Sequence, residues 1–233
     1  MSVDGMHSVD LVTAADLTRT GDLWIFRGRS AADRAIQTLT NSPVNHVGMA
    51  VVLDDLPPLM WHAELGRSLP DMWTGRHQRG VQLHDLTAAV THWGATYAQQ
   101  CWFRQLQTPA TSAQEDDLMR TIARLDGTAF PTTARLAGRW FAGRLPANPW
   151  KKSGDAMTLD TAYCAEVVAL TYEAMGLLHP RQSPTPLKPF DKLGLKPPRR
   201  QANWYDPGRF WSGDHLPLSD GVELGREIAV TIS

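Results

Sequence analysis

The sequence has little of what marks secreted, membrane-spanning or nucleic-acid-binding proteins. Its two cysteines, Cys101 and Cys164, are too few for a disulfide framework in 233 residues. No stretch approaches the roughly 20 consecutive apolar residues of a membrane span, and the polar N-terminus lacks the basic and apolar regions of a signal peptide. A net charge of −1 supplies no basic field for nucleic acid. These absences predict a cytoplasmic protein with reduced thiols, no transmembrane segment and no nucleic-acid partner.

What the sequence does contain is enough apolar material for a sizeable core. Apolar residues make up 42% of the chain, and the length suits one large domain or two small ones. Strand and hairpin patterns are interspersed with helical ones, which favours an α+β fold over a doubly wound sheet. We predict a single domain over residues 1–233, with its core at about 21–218 and loop-rich insertions at 131–155 and 180–208.

Periodicity and turn residues place the main elements. Short apolar or β-branched runs predict five strands, the second and third forming an antiparallel hairpin, at 23–26, 47–53, 59–64, 80–83 and 101–106. A capping-box pattern at 112–115 precedes apolar residues at helical spacing and predicts a helix that ends near Gly127. A short helix is predicted at 30–39, and a second long helix from Thr161 to Gly176.

Cys164 and His46 are the most informative residues. Cys164 stands near the start of the last predicted helix, where the positive end of the helix dipole favours a thiolate. His46, far upstream, opens an apolar strand, and an imidazole brought beside the thiol would complete a nucleophile–base pair. Taken alone, Cys164 is better explained as an ordinary buried cysteine, and His46 as a strand-end histidine bonded to backbone. Their combination favours cysteine chemistry.

The predicted hairpin supplies a third member for this pair. Side chains alternate along strands, so His62 and Glu64 share one face of the strand that neighbours His46. His62 as a cross-strand neighbour of His46 would orient and polarise the base. Glu64 lies one pleat further along and is the alternative, since a carboxylate would favour the imidazolium.

A metal site is a competing interpretation of the same residues. His62 and Glu64, together with His77 or His84, offer nitrogen and oxygen ligands of the kind that zinc accepts. The sequence has no HExxH pattern and no CxxC pair. The cysteine chemistry needs neither metal nor cofactor, and we therefore predict none.

Several segments together resemble a known superfamily. They are Gly21–Phe26 with its Gly-Asp start, Asn45–Met49 with His-Val-Gly, Trp61–Ala63, Gly80–Leu83, and Tyr163–Val168 with Tyr-Cys-x-Glu. Their order, histidine before cysteine, is similar to the circularly permuted branch of the NlpC-type papain-like superfamily. That branch includes the bacterial YiiX-like and YaeF-like proteins and is related to the lecithin retinol acyltransferase-like proteins. The resemblance extends from about Gly21 to Leu218.

The resemblance implies an α+β permuted papain-like fold, with an antiparallel sheet packed against helices that include the cysteine helix. It implies a thiol hydrolase or acyltransferase acting on an amide or ester of a small-molecule, peptide or lipid-like substrate. Cys164 would be the nucleophile, His46 the base and then the acid, and His62 the orienting residue. Glu64 and Tyr163 are candidates for the third member or for oxyanion support; Tyr163 replaces the asparagine of acyltransferase-like relatives. A catalytically silent binding module of the same fold and a metal-dependent hydrolase are the alternatives.

Overall fold

The computed structural model describes residues 8–29, 42–64, 66–128, 164–179, 205, 207–211 and 216–232. The predicted insertion at 131–155, the predicted helix at 30–39, most of the insertion at 180–208, and Tyr163 lie outside these residues. The described part is a mixed α+β structure built on one sheet.

Seven strands form this sheet, and they follow the spatial order β1-β7-β6-β2-β3-β4-β5. Neighbouring strands are antiparallel except β1 and β7, which pair in parallel. The strands are β1 Ser8–Asp10, β2 Leu23–Arg27, β3 His46–Val51, β4 Leu59–Glu64, β5 Gly80–Asp85, β6 Gln100–Arg104 and β7 Ile228–Thr231. The five predicted strands and the predicted β3–β4 hairpin are confirmed, whereas β1 and β7 lie outside the predicted core.

The described helices are α1 Leu11–Leu17, α2 Leu86–Tyr97, α3 Ser112–Leu125 and α4 Cys164–Ala174, with a 3₁₀ turn at Pro207–Arg209. None of these helices is long and apolar enough to cross a membrane. The capping box of α3 is present, but it begins one residue earlier than predicted, with Thr111 and Gln114 satisfying each other's backbone amides. The sequence interpretation missed α2, whose N-terminus is capped by the Asp85 carboxylate through the Ala88 amide.

The helices cover both faces of the sheet and give two apolar cores. On one face α3 and α4 enclose the larger core, where the buried Trp61 indole donates a hydrogen bond to Thr171 Oγ1 at 3.0 Å. On the other face α1 and α2 pack over Trp24 and Phe26, and α2 contributes Trp93 to the same core. Because side chains of one strand alternate between these cores, each strand can present functional residues to one face and packing residues to the other.

The turn before β2 fixes the centre of the sheet. Asp22 is fully buried, and its carboxylate accepts hydrogen bonds from the Leu106 amide at 2.8 Å and the Arg19 amide at 2.9 Å. Burial raises the pKa of Asp22 to about 6, against these hydrogen bonds. Gly21 adopts φ +92°, which side chains rarely tolerate. The Gly21 amide and the Asp22 carbonyl oxygen bond to Ala50, so this turn ties the start of β2 to the end of β3.

Candidate active site

Three histidines from neighbouring strands form a continuous row on the face covered by α2. His46 Nε2 lies 3.1 Å from His62 Nδ1, and His62 Nε2 lies 3.1 Å from His84 Nδ1. His46 is partly exposed at the start of β3, whereas His62 and His84 are fully buried. The predicted contact between His46 and His62 is therefore present. The sequence interpretation had considered His84 only as a metal ligand.

Gly48 lies across from His62 and makes room for Met60. A Cβ at position 48 would lie 2.5 Å from Met60 Sδ and 3.4 Å from His62 Cβ. The first distance is far below van der Waals contact, so a side chain here would displace Met60, whereas the second is an ordinary contact. The glycine of the His-Val-Gly segment thus permits Met60, two residues before His62, to pack closely on β3.

Trp93 of α2 covers the histidine row. Its ring meets His46 at 5.3 Å and His62 at 5.0 Å between centroids, both near edge-to-face, and Phe26 meets it at 5.0 Å. Such contacts fix ring orientation and exclude water. The sequence interpretation did not single out Trp93, because α2 was missed; the Asp85 cap ahead of an apolar run was the available signal.

The buried histidines are held neutral. Burial depresses the pKa of His62 well below its ordinary value, and the charges of His84 and His46 lower it further. Burial also lowers the pKa of His84 to about 4, although the Asp71 carboxylate opposes this. Among the described residues His84 Nε2 has no hydrogen-bond partner.

In a row of neutral imidazoles each ring carries one proton, so the tautomers are linked. If His46 Nε2–H donates to His62 Nδ1, then His62 Nε2–H donates to His84 Nδ1, and His46 Nδ1 keeps a lone pair. If the hydrogen bonds run the other way, from His84 to His62 to His46, the proton of His46 resides on Nδ1. Only the first arrangement allows His46 to act as a base at Nδ1.

Glu64 lies at the end of β4, beside the row. Burial raises its pKa to about 7, while a hydrogen bond from the Trp93 side chain pulls the pKa down. Its Oε1 is buried and finds no hydrogen-bond partner in the described ranges. One donor atom each from His62, Glu64 and His84 falls within 4.8 Å of the others. These residues therefore form a compact cluster of potential metal ligands.

Cys164 is the first residue of α4 and is 5% exposed. Burial raises the pKa of its thiol to about 11, while the backbone amides of Val47, Ala165 and Cys164 itself lower it. The expected net depression of this pKa is thus corrected: removal from water outweighs the helix terminus.

The Cys164 thiol lies on the other side of the sheet from the His46 ring. Cys164 belongs to the core under α4, whereas His46 packs with Phe26 and Trp93 under α2. The amide that contacts the thiol is that of Val47, the residue immediately after His46. Within the residues described, no hydrogen bond joins Cys164 Sγ to a ring nitrogen of His46. The structure therefore brings His46, His62, His84 and Glu64 together and sets Cys164 at the same end of β3.

The remaining candidate residues lie apart from the row. Cys101 on β6 is buried in the α2 core, and burial raises its pKa well above the ordinary value. His77 lies in the exposed loop between β4 and β5, where Nδ1 is 2.9 Å from the Arg67 carbonyl oxygen. His77 is therefore absent from the ligand cluster, which uses His84.

The fold and site define a mixed α+β protein whose seven-stranded sheet carries a row of three histidines across β3, β4 and the edge strand β5. A solved structure with a similar fold is that of the metalloprotein YiiX from Escherichia coli O157:H7, a DUF1105 protein. The TM-score is 0.51 at 19% sequence identity, and the match covers 86% of this chain and 96% of that one. The predicted YiiX-like arrangement is supported at the level of the fold. No family model matches the chain, and no curated protein matches it.

Proposed function

We propose that this protein is a cysteine-dependent hydrolase or acyltransferase of the permuted papain-like type, acting on an amide or ester bond. Cys164 is the nucleophile, His46 the general base and then acid, and His62 the orienting residue. The observation that carries the proposal is the 3.1 Å contact between His46 Nε2 and His62 Nδ1. This contact fixes one nitrogen of His46 and so orients its ring. His46 is the first residue of β3, and α4 begins close to that residue.

The raised thiol pKa determines how the reaction starts. With a pKa of about 11, Cys164 is a neutral thiol near pH 7, so no preformed thiolate–imidazolium pair attacks. Instead, the proton passes from Sγ to His46 Nδ1 as sulfur bonds to the carbonyl carbon. His46 then returns the proton to the departing amine or alcohol. Water, or an acyl acceptor, cleaves the thioester and regenerates the thiol.

This step requires a local rearrangement at the end of β3. The thiol must rotate away from the Val47 amide and meet His46 Nδ1 around the strand end. Because Cys164 opens α4, its own backbone N–H is among those that have no partner within the helix. That N–H would stabilise the oxyanion formed on the carbonyl oxygen.

Differential alkylation tests the proposed pair. Iodoacetamide is expected to modify Cys164 before Cys101, because the proposed base lies near Cys164, whereas Cys101 is enclosed in the core under α2 and burial raises its pKa well above the ordinary value. His46→Ala should slow Cys164 modification about 100-fold near pH 7, since the base is lost. The slowed reaction should regain about tenfold per pH unit toward pH 9, because thiolate then forms only by ionisation.

The matched control is His179→Ala, which removes a half-exposed imidazole. It should leave the modification rate unchanged. Peptide mapping by mass spectrometry reads out both cysteines. Prior modification of Cys101, or equal effects of the two histidine variants, would refute the assignment of His46 as base.

A metal-dependent hydrolase is the second candidate, and the ligand cluster favours it. The 3.1 Å between His62 Nε2 and His84 Nδ1 is close to the ~3.3 Å that separates two nitrogens on a tetrahedral zinc. Glu64 Oε1, without a hydrogen bond in the described part of the chain, would be the third ligand. The similar YiiX structure is that of a metalloprotein. A zinc ion here would supply Lewis-acid polarisation of a carbonyl oxygen.

The two candidates exclude each other through the histidine tautomers. If His62 Nε2 binds a metal, its proton must reside on Nδ1 and be donated to His46 Nε2. His46 then carries its own proton on Nδ1 and cannot accept one from Cys164. A metal ion bound at the ligand cluster would therefore prevent Cys164 from reacting as the nucleophile.

Zinc titration of ester hydrolysis separates the candidates. For the thiol enzyme, stoichiometric zinc should slow hydrolysis at least about tenfold, since the tautomer shift removes the base. A chelator should restore the rate. His84→Ala should abolish the zinc effect while retaining hydrolysis, which separates binding at the cluster from direct binding to the thiol. Activation by zinc and inactivation by a chelator would instead establish the metal-dependent hydrolase.

A further inference from the structure

The loop between β4 and β5 exposes two large apolar side chains next to each other. Met72 is 43% exposed and Trp73 is 50% exposed. The same loop carries Arg67, Arg76 and Arg79, which are all exposed. A tryptophan and a methionine side by side form a small exposed apolar patch, and its meaning depends on the charges around it.

The exposure does not result from an unstructured loop. Asp71 is fully buried, and its carboxylate accepts hydrogen bonds from the Thr74 amide and hydroxyl at 2.7 Å each and from the Leu83 amide at 2.8 Å. The Met72 amide donates to the Leu83 carbonyl oxygen at 2.6 Å. The turn is thus anchored to β5, and it holds Met72 and Trp73 outward.

The charge around the apolar pair is positive and not neutralised. In the described ranges, no salt bridge joins Arg67, Arg76 or Arg79 to an acidic side chain. The loop's one acidic side chain, Asp71, is buried and accepts hydrogen bonds from backbone amides. A tryptophan flanked by arginines is the composition of an interfacial anchor, in which the indole lies among headgroups and the cations meet anionic lipids.

The loop starts and finishes at the end of the sheet that carries His46. It leaves β4 after Glu64 and enters β5 at Gly80, and β4 runs antiparallel to β3. Between these points it folds back along β5, so the turn with Met72 and Trp73 lies beside Leu83 at the β5 edge of the sheet. Another exposed apolar residue, Leu56, occupies the β3–β4 turn at the opposite end of the sheet.

We propose that the 66–79 loop docks the protein on an anionic lipid surface. Trp73 and Met72 enter the interface, and Arg67, Arg76 and Arg79 contact the headgroup phosphates. Docking would turn the β5 edge of the sheet toward the bilayer. This inference does not depend on the proposed chemistry, because binding is measured without turnover.

Vesicle co-sedimentation of the full chain tests the proposal. We expect binding to vesicles of phosphatidylglycerol and phosphatidylcholine, weakening at high salt, and little binding to phosphatidylcholine alone. Met72→Ser with Trp73→Ser should weaken binding about tenfold. Arg76→Gln with Arg79→Gln should weaken it about 25-fold, or roughly fivefold per arginine.

Leu56→Ser is the matched control, because it removes an exposed apolar side chain of similar exposure, 45%, from the opposite end. It should bind like the unaltered chain, and all variants should unfold at the same temperature. Three results would overturn the proposal: no binding to the anionic vesicles, equal weakening by Leu56→Ser, or binding that ignores the loss of Trp73 and Met72. If the chain does not bind anionic vesicles, the exposed loop would instead be assigned to contact with a protein partner.

Discussion

Replacing Cys164 with alanine should lower the rate of hydrolysis of an activated ester such as p-nitrophenyl acetate by about 10³-fold or more. The reason is that no other residue in the site can form the thioester, so only binding and oxyanion stabilisation would remain. Release of p-nitrophenolate measures the rate. The removed side chain is small and buried, so unfolding should be followed in parallel, to separate lost chemistry from lost fold.

Cys101→Ala is the matched control for this prediction. Cys101 is also a buried cysteine, but it belongs to the core under α2, on β6. Its loss should leave ester hydrolysis within about twofold of the unaltered enzyme. Retained hydrolysis in Cys164→Ala, or equal losses in both variants with both still folded, would remove Cys164 from the reaction.

Substitutions in the histidine row should lower the rate of ester hydrolysis by different amounts. This is the second large expected effect. His46→Ala should lower ester hydrolysis by about 10²–10⁴-fold, because it removes the base. His62→Ala should cost less, since an orienting residue fixes the tautomer and angle of the base without touching the substrate. His62→Gln should recover part of the rate, because its amide oxygen can accept the hydrogen bond from His46 Nε2.

Glu64→Gln serves as the comparison for His62→Ala. Glu64 lies in the ligand cluster and beside Trp93, and within the described residues no hydrogen bond joins it to His46 or His62. Its neutral isostere should therefore hydrolyse the ester nearly as fast as the unaltered enzyme. A loss in Glu64→Gln as complete as in Cys164→Ala, with His62→Ala near normal, would transfer the orienting role to Glu64.

Local patterns were sufficient to predict the central part of the fold. The β3–β4 hairpin follows from two short apolar runs separated by a turn, and alternation along each strand places His46 and His62 on one face. The capping box predicts α3 because its two side chains satisfy amides only a few residues away. In each case the interaction that decides the structure lies within the segment itself.

Properties that depend on distant segments were not predicted. β1 and β7 pair in parallel across nearly the whole chain and have only three and four residues, too few for a periodic signal. His84 joins the row because β5 pairs with β4, and Trp93 covers it because α2 packs back on the sheet. The Cys164 pKa was misjudged for the same reason: the helix terminus is visible in sequence, whereas the depth of burial is a property of the folded chain.

The most direct test of the account is to locate the acyl group after brief reaction with p-nitrophenyl acetate. Peptide mapping by mass spectrometry should find the acetyl group on Cys164 of the unaltered enzyme, strongly reduced in His46→Ala and absent in Cys164→Ala. That result would establish the nucleophile and its base together. Hydrolysis that proceeds with Cys164 unacylated and stops when a chelator is added would contradict the account, and would assign the chemistry to a metal at His62, Glu64 and His84.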